Sequence, residues 1–157
     1  MKHIDYLNHT IRLAMENVES HHGGPFAAII ADKNGQMVSY GQNKVTSFND
    51  PTAHAEIQAI RKACEKLQSF QLSGCILYTS CEPCPMCLGA IYWARVEKVY
   101  YAADQKLAAA GGFDDQFIYE EINKEHKARQ IPFHAIEVQD KNLPFEKWAV
   151  MDQKVEY

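Results

Sequence analysis

The sequence predicts one α/β domain in which helices and strands alternate around a sheet with some parallel pairing. Two observations carry this prediction. Apolar residues recur at helical spacing near the N-terminus and again after Pro51, whereas the runs between them are short, rich in β-branched and aromatic residues, and bounded by turn residues. The length, 157 residues, fits a single domain. A chain of that size buries roughly 68–70% of the surface its unfolded form exposes, so it builds a core without disulfides.

The elements follow in order. Ile4, Leu7, Ile11, Ala14 and Val18 mark one face of an amphipathic first helix, which His21-His22-Gly23-Gly24-Pro25 breaks. Residues 26–31 and 37–41 read as a β-hairpin turning at Asp32-Lys33-Asn34-Gly35. A loop over 43–51 leads to a second helix, capped by Thr52 and carrying Ile57, Ile60, Cys64 and Leu67 on one face. Residues 75–80 form a third strand, 84–95 a third helix and 96–102 a fourth strand. The segment 108–112 is small and flexible, 117–127 helical, 133–138 a fifth strand by its alternation, and 144–157 a final helix.

Composition narrows the function classes. Hydrophobic residues at 46% and charged residues at 23% suit a soluble globular protein. A net charge of −4 argues against a nucleic-acid partner, because phosphate contacts demand clustered Lys and Arg. Residues 1–5 are polar with no uncharged apolar run after them, and no stretch approaches the ~20 apolar residues of a membrane span. An odd set of five cysteines points to reduced thiols and a metal, and so to a cytoplasmic protein.

The chemistry concentrates in His54-Ala55-Glu56 and Pro83-Cys84-Pro85-Met86-Cys87. Pro85 suits the first position of a helix, which makes Cys84 its cap and sets Cys87 on the same side. The partial positive charge of a helix N-terminus favours thiolate, the form a metal needs. With His54 this gives three ligands and an open fourth position, the arrangement of a catalytic rather than a structural zinc site. Glu56, unligated, is then the proton carrier. Other readings of the cysteines stay open. Cys81, Cys84 and Cys87 form C-x-x-C-x-x-C, which opens some iron–sulfur motifs, although residue 91 is Ile91 where the motif wants Cys. A structural zinc site lacks an evident fourth ligand, and Cys64 and Cys75 read as buried hydrophobes.

H-x-E followed by P-C-x-x-C is the pattern of zinc nucleobase deaminases. Together with Gly23-Gly24-Pro25-Phe26, Gly41-Gln42-Asn43 and Asn49-Asp50-Pro51-Thr52, it makes the chain resemble the cytidine deaminase-like superfamily. Gly112-Phe113-Asp114-Asp115 and the terminal Glu156-Tyr157 are similar to its bacterial guanine deaminase branch. The resemblance implies a three-layer α-β-α sandwich around a five-stranded mixed sheet. It implies one Zn²⁺ on His54, Cys84 and Cys87, Glu56 as proton shuttle, and hydrolysis of guanine to xanthine and ammonia. Asp115 becomes a second catalytic acid that reads the N1–H and amino donors of the base. Phe26, Asn43, Ala55, Trp93 and Phe113 become substrate contacts. The resemblance also implies a homodimer that exchanges a C-terminal segment, about 140–157, so that Tyr157 closes over the neighbour's pocket. Three rivals remain: a tRNA adenosine deaminase, a cytosine or cytidine deaminase, and a non-enzymatic zinc-stabilised binding module.

Overall fold

The computed structural model describes residues 2–157. They form two compact units, one ending at Gln116 and one running from Phe117 to Tyr157. The first contains α1 (His3–Glu19), β1 (Ala27–Ala31), β2 (Met37–Gln42), the short α2 (Val45–Phe48), α3 (Ala55–Leu67), β3 (Ile76–Cys81), α4 (Pro85–Trp93), β4 (Lys98–Ala103) and α5 (Gln105–Ala110). The strands lie in the order β2-β1-β3-β4. β1 is antiparallel to both neighbours, and β3 is parallel to β4. The turn between β1 and β2 is closed by Asp32, whose Oδ1 accepts from the N–H groups of Asn34 and Gln36 at 2.9 Å each. A parallel pair needs a crossover, and α4 supplies it between β3 and β4.

The mixed sheet agrees with the sequence reading, but it has four strands among the described residues rather than five. Residues 133–138 alternate in hydrophobicity yet lie outside any ladder. Alternation shows that a segment suits a half-buried strand; it does not supply the partner strand.

β1 is buried along its whole length, and the pleat divides its residues between two layers. Ala27, Ile29 and Ala31 pack with Tyr6, Leu13 and Ala14 of α1 and with Tyr78. Ala28 and Ile30 pack on the other side with Ala55, Ala59 and Ala63 of α3, with Leu72 and Leu77, and with Ile91 of α4. The first unit is therefore helix, sheet, helix.

Both principal helices are rotated from the expected faces. On α1 the buried set is Tyr6, Thr10, Leu13, Ala14 and Asn17, while Ile4, Ile11 and Val18 are exposed. The polar members are tolerated because they are paired: Thr10 Oγ1 donates to Leu7 O at 2.8 Å, and Asn17 makes three hydrogen bonds. On α3 the alanines face the sheet, Ile60 and Cys64 pack partly against the core, and Leu67 is exposed. Small residues let the helix axis approach the strands closely. From α3, Lys62 Nζ donates to Tyr40 O at 3.2 Å and Lys66 Nζ to Val38 O at 3.0 Å, along β2.

The second unit holds α6, which begins at the boundary (Gln116–Ile122), a 3₁₀ turn (His126–Ala128) and α7 (Leu143–Ala149). Both helices are shorter than the expected 117–127 and 144–157. Arg129 ties the turn to α6 by donating to Glu121 O and Ile122 O. No residue from 117 to 157 is buried, and Ile136 and Val150 are about four-fifths exposed (80% and 79%). Among the described residues no helix is long and apolar enough to cross a membrane.

Candidate metal and active site

Two helix N-termini meet at the site. Cys84 is the N-cap of α4 and Pro85 its first residue, as the sequence predicts. On α3 the N-cap is His54 rather than Thr52. Thr52 is held in the preceding turn, where Asp50 Oδ1 accepts from its N–H at 2.8 Å and its hydroxyl at 2.7 Å. Neither His54 nor Cys84 spends its side chain on capping, so both are available to a ligand. The approach of α3 depends on Gly41 in β2, where an added Cβ would lie 2.2 Å from Ala55 O and 2.5 Å from the Ala59 nitrogen. Only a glycine lets the backbone carrying His54, Ala55 and Glu56 come so near the sheet.

His54 Nδ1 lies 3.5 Å from Cys84 Sγ and 3.6 Å from Cys87 Sγ, and all three ligand atoms fall within 4.8 Å of one another. A tetrahedral zinc with bonds of about 2.0–2.1 Å to nitrogen and about 2.3 Å to sulfur requires an N···S edge of about 3.5–3.6 Å. The triad thus fits the ion. Cys81 stays outside it: burial pushes its thiol up to about 11, and its Sγ lies 3.9 Å from Asp104 O.

The three side chains are electrostatically coupled. The hydrogen bond from Cys87, helped by His54, lowers the Cys84 thiol to about 4, while the partnership with Cys84 and burial hold the Cys87 proton tightly. Cys84 also raises the His54 imidazole. Glu56 sits beside the ligands, 7% exposed, with Oε2 3.5 Å from Cys87 Sγ and Oε1 3.4 Å from the Thr79 hydroxyl. Burial raises its pKa above the ordinary carboxylate range, which favours a carboxyl able to hold a proton as well as release one.

A cavity of about 660 Å³ opens onto this group. Phe26, Asn43, Ala55, Phe113 and Asp115 line it, with His54, Glu56 and Cys84. Phe26 and Phe113 meet edge to face at 4.8 Å between ring centroids and form an apolar wall. Asp115 is half-buried, and desolvation raises its pKa. Trp93 is not among the lining residues; it ends α4 with 65% of its surface exposed. Tyr157 closes the second unit and is 70% exposed.

The cavity also includes Gly24, Cys81, Glu82 and Asp114, which the motif reading did not single out for substrate. Glu82 adjoins Pro83-Cys84 and was legible as part of the motif; its Oε2 accepts from the Gln105 N–H at 3.2 Å and so joins the site to α5. Thr79 gave no signal, because a threonine in a strand is ordinary.

The profile of the cytidine and deoxycytidylate deaminase zinc-binding region matches residues 1–103. The chain is 54% identical, over all 157 residues and the whole of both proteins, to the guanine deaminase of Bacillus subtilis (strain 168). The X-ray structure of guanine deaminase from Bacillus subtilis superposes with a TM-score of 0.98 and 53% identity, covering 100% of this chain and 99% of that one. The tRNA-specific adenosine deaminase of Aquifex aeolicus (strain VF5) is 46% identical over 82 residues, 52% of this chain and 54% of that protein. The chain belongs to the zinc-binding cytidine and deoxycytidylate deaminase family.

Proposed function

We infer that this protein is a zinc-dependent hydrolase that deaminates guanine to xanthine and ammonia. The observation that carries this reading is the three-ligand triad at two helix ends with a buried, unligated carboxyl beside it. The full-length similarity to a guanine deaminase sets the substrate.

His54, Cys84 and Cys87 would hold the ion, whose contribution when bound is to bring a water's pKa to about 7. Glu56 takes the proton of the attacking water, passes it to N3 of the purine as C2 becomes tetrahedral, and carries the second proton to the departing amino group. One water enters and one ammonia leaves. Asp115, an acceptor as carboxylate, pairs with the N1–H and amino donors of guanine. Asn43, which also lines the cavity, contacts the ring, Ala55 offers backbone, and Phe26 and Phe113 flank the base.

The tRNA reading is disfavoured by charge. Among the described residues lining the cavity are Glu56, Glu82, Asp114 and Asp115 and no Lys or Arg, a poor receiver for phosphates. The assembly proposed is a homodimer that exchanges the segment about 140–157, Tyr157 closing over the partner's pocket. The exposed apolar residues of the second unit, and Tyr92 and Trp93 on α4, support it as surfaces in need of cover. Five free cysteines support a reducing, cytoplasmic setting.

The test is ammonia release from guanine, guanosine, adenine, adenosine, cytosine and cytidine, with zinc content measured on the same sample. Turnover of guanine by protein holding one zinc per chain is expected. Turnover of adenosine, cytosine or cytidine in its place would overturn the substrate assignment.

A further inference from the structure

Asn17 is wholly buried near the C-terminal end of α1, yet both polar atoms of its side chain bond segments outside its own helix, two of the three partners lining the cavity. Nδ2 donates to Gly24 O and to Asn43 O, both at 2.9 Å, and Oδ1 accepts from Lys44 Nζ at 3.0 Å. Two carbonyls on one side and an ammonium on the other fix which way the amide points. The same seam includes Gln42 Nε2 on Leu13 O at 2.8 Å and Asn43 N–H on Phe26 O at 3.0 Å. Gly23 completes it, since a Cβ there would lie 2.2 Å from Asn43 O and 3.1 Å from Asn17 Nδ2.

This seam has an effect inside the cavity. With Gly24 and Asn43 held side by side, Asn43 Oδ1 receives the backbone N–H groups of Gly24 at 3.4 Å and Val45 at 3.3 Å. Its acceptor is occupied, so the amide NH₂ is the group left to face a ligand. We propose that Asn17, oriented by Lys44, is a positioning residue that locks the Gly24–Phe26 wall against Asn43 and makes the Asn43 side chain a donor toward the substrate. Asp115 then accepts from the base and Asn43 donates to it, so the two polar walls read opposite hydrogen-bond senses. The kinetic part of the proposal rests on the guanine reading; the structural part does not.

Asn17→Asp keeps the shape, turns two donors toward the carbonyls into acceptors, and strengthens the attraction to Lys44, so the fold is expected to survive. For guanine, KM should rise about tenfold or more while kcat per folded molecule stays within about threefold, at full zinc content and at a temperature well below a melting temperature that the two lost hydrogen bonds will lower. Lys44→Met should raise KM about threefold, and Lys44→Arg, which keeps a donor, should behave as wild type. In ¹⁵N spectra of the full-length zinc-loaded protein, Asn17→Asp and Lys44→Met should shift the Gly24 amide and the Asn43 side-chain amide and accelerate their exchange. Unmoved Gly24 and Asn43 signals would overturn the proposal whatever base the enzyme takes. So would kcat and KM unchanged per folded molecule. A wild type inert on guanine would instead overturn the substrate reading, with the spectra still deciding the role of Asn17; if Asn17→Asp does not fold, the Lys44 variants carry the same readouts.

Discussion

The two faces of one sheet are built for different ends. Toward α1, β3 presents Tyr78, and a stack of rings covers it: Tyr6 to Tyr78 at 4.4 Å, Tyr78 to Tyr100 at 5.5 Å and His3 to Tyr100 at 4.2 Å between centroids. Two of the hydroxyls on this face are paired, Tyr6 donating to Gly35 O at 2.6 Å and Tyr78 bonded to His3 Nδ1 at 2.8 Å. Toward α3 the same strand presents Thr79 and Cys81, next to a buried carboxyl, two thiols and an imidazole. One face buries mainly apolar and aromatic surface, and its buried polar side chains Thr10 and Asn17 are hydrogen-bonded. The other carries groups whose burial is costly, and it can do so because the aromatic face holds the sheet in place.

Glu56→Gln is the sharpest way to break that contrast. It should lower kcat about 10²- to 10⁴-fold, retain zinc and leave the melting temperature no lower, since a costly buried carboxyl is replaced by a neutral amide. Full turnover in the variant would remove Glu56 from the mechanism. Tyr6→Ala should do the reverse: about 3–5 kcal/mol of stability lost by denaturant titration, with kcat per folded molecule unchanged. A Tyr6 variant that melts normally but is catalytically dead would show the faces to be coupled.

Asp115→Asn comes next, with kcat/KM for guanine falling about 10- to 100-fold as a charged hydrogen-bond acceptor is lost, at full zinc content. The smallest effect is on the aromatic face. Burial raises the pKa of the Tyr6 hydroxyl above its ordinary value of 10.0, so the folded state holds that proton after the unfolded chain has released it. The stabilisation is complete below pH 10 and is lost as pH climbs through the folded pKa. Melts from pH 8 to 11 should show Tyr6→Phe about 1 kcal/mol less stable than wild type at pH 8, with the gap narrowing at the alkaline end.

The site was more legible in the chain than the packing around it. Pro85 after Cys84 fixes a helix start by backbone chemistry alone, and His54, Glu56, Cys84 and Cys87 come together because the starts of α3 and α4 meet beside the end of β3. Helix faces were harder. Counting large aliphatic residues on α1 selects Ile4, Ile11 and Val18, whereas the structure buries Thr10 and Asn17. A buried polar residue is recognisable only once its partners are known, and those of Asn17 lie on two other segments of the chain. The fifth strand failed for a related reason: 133–138 has the right pattern, but pairing is a tertiary property. Thr52 lost the cap of α3 to His54 because Asp50 had already engaged its hydroxyl.

The lysines of α3 that lean over β2 have one more effect. A sheet's outer strand offers a row of open carbonyls and N–H groups to any passing peptide, which is how ordered proteins begin to aggregate. With Lys62 on Tyr40 O and Lys66 on Val38 O, that border is already occupied by two ammonium groups, and an intruding chain would have to strip both before docking. The helix that delivers His54 and Glu56 to the catalytic pocket thereby also covers part of the outer strand's open backbone.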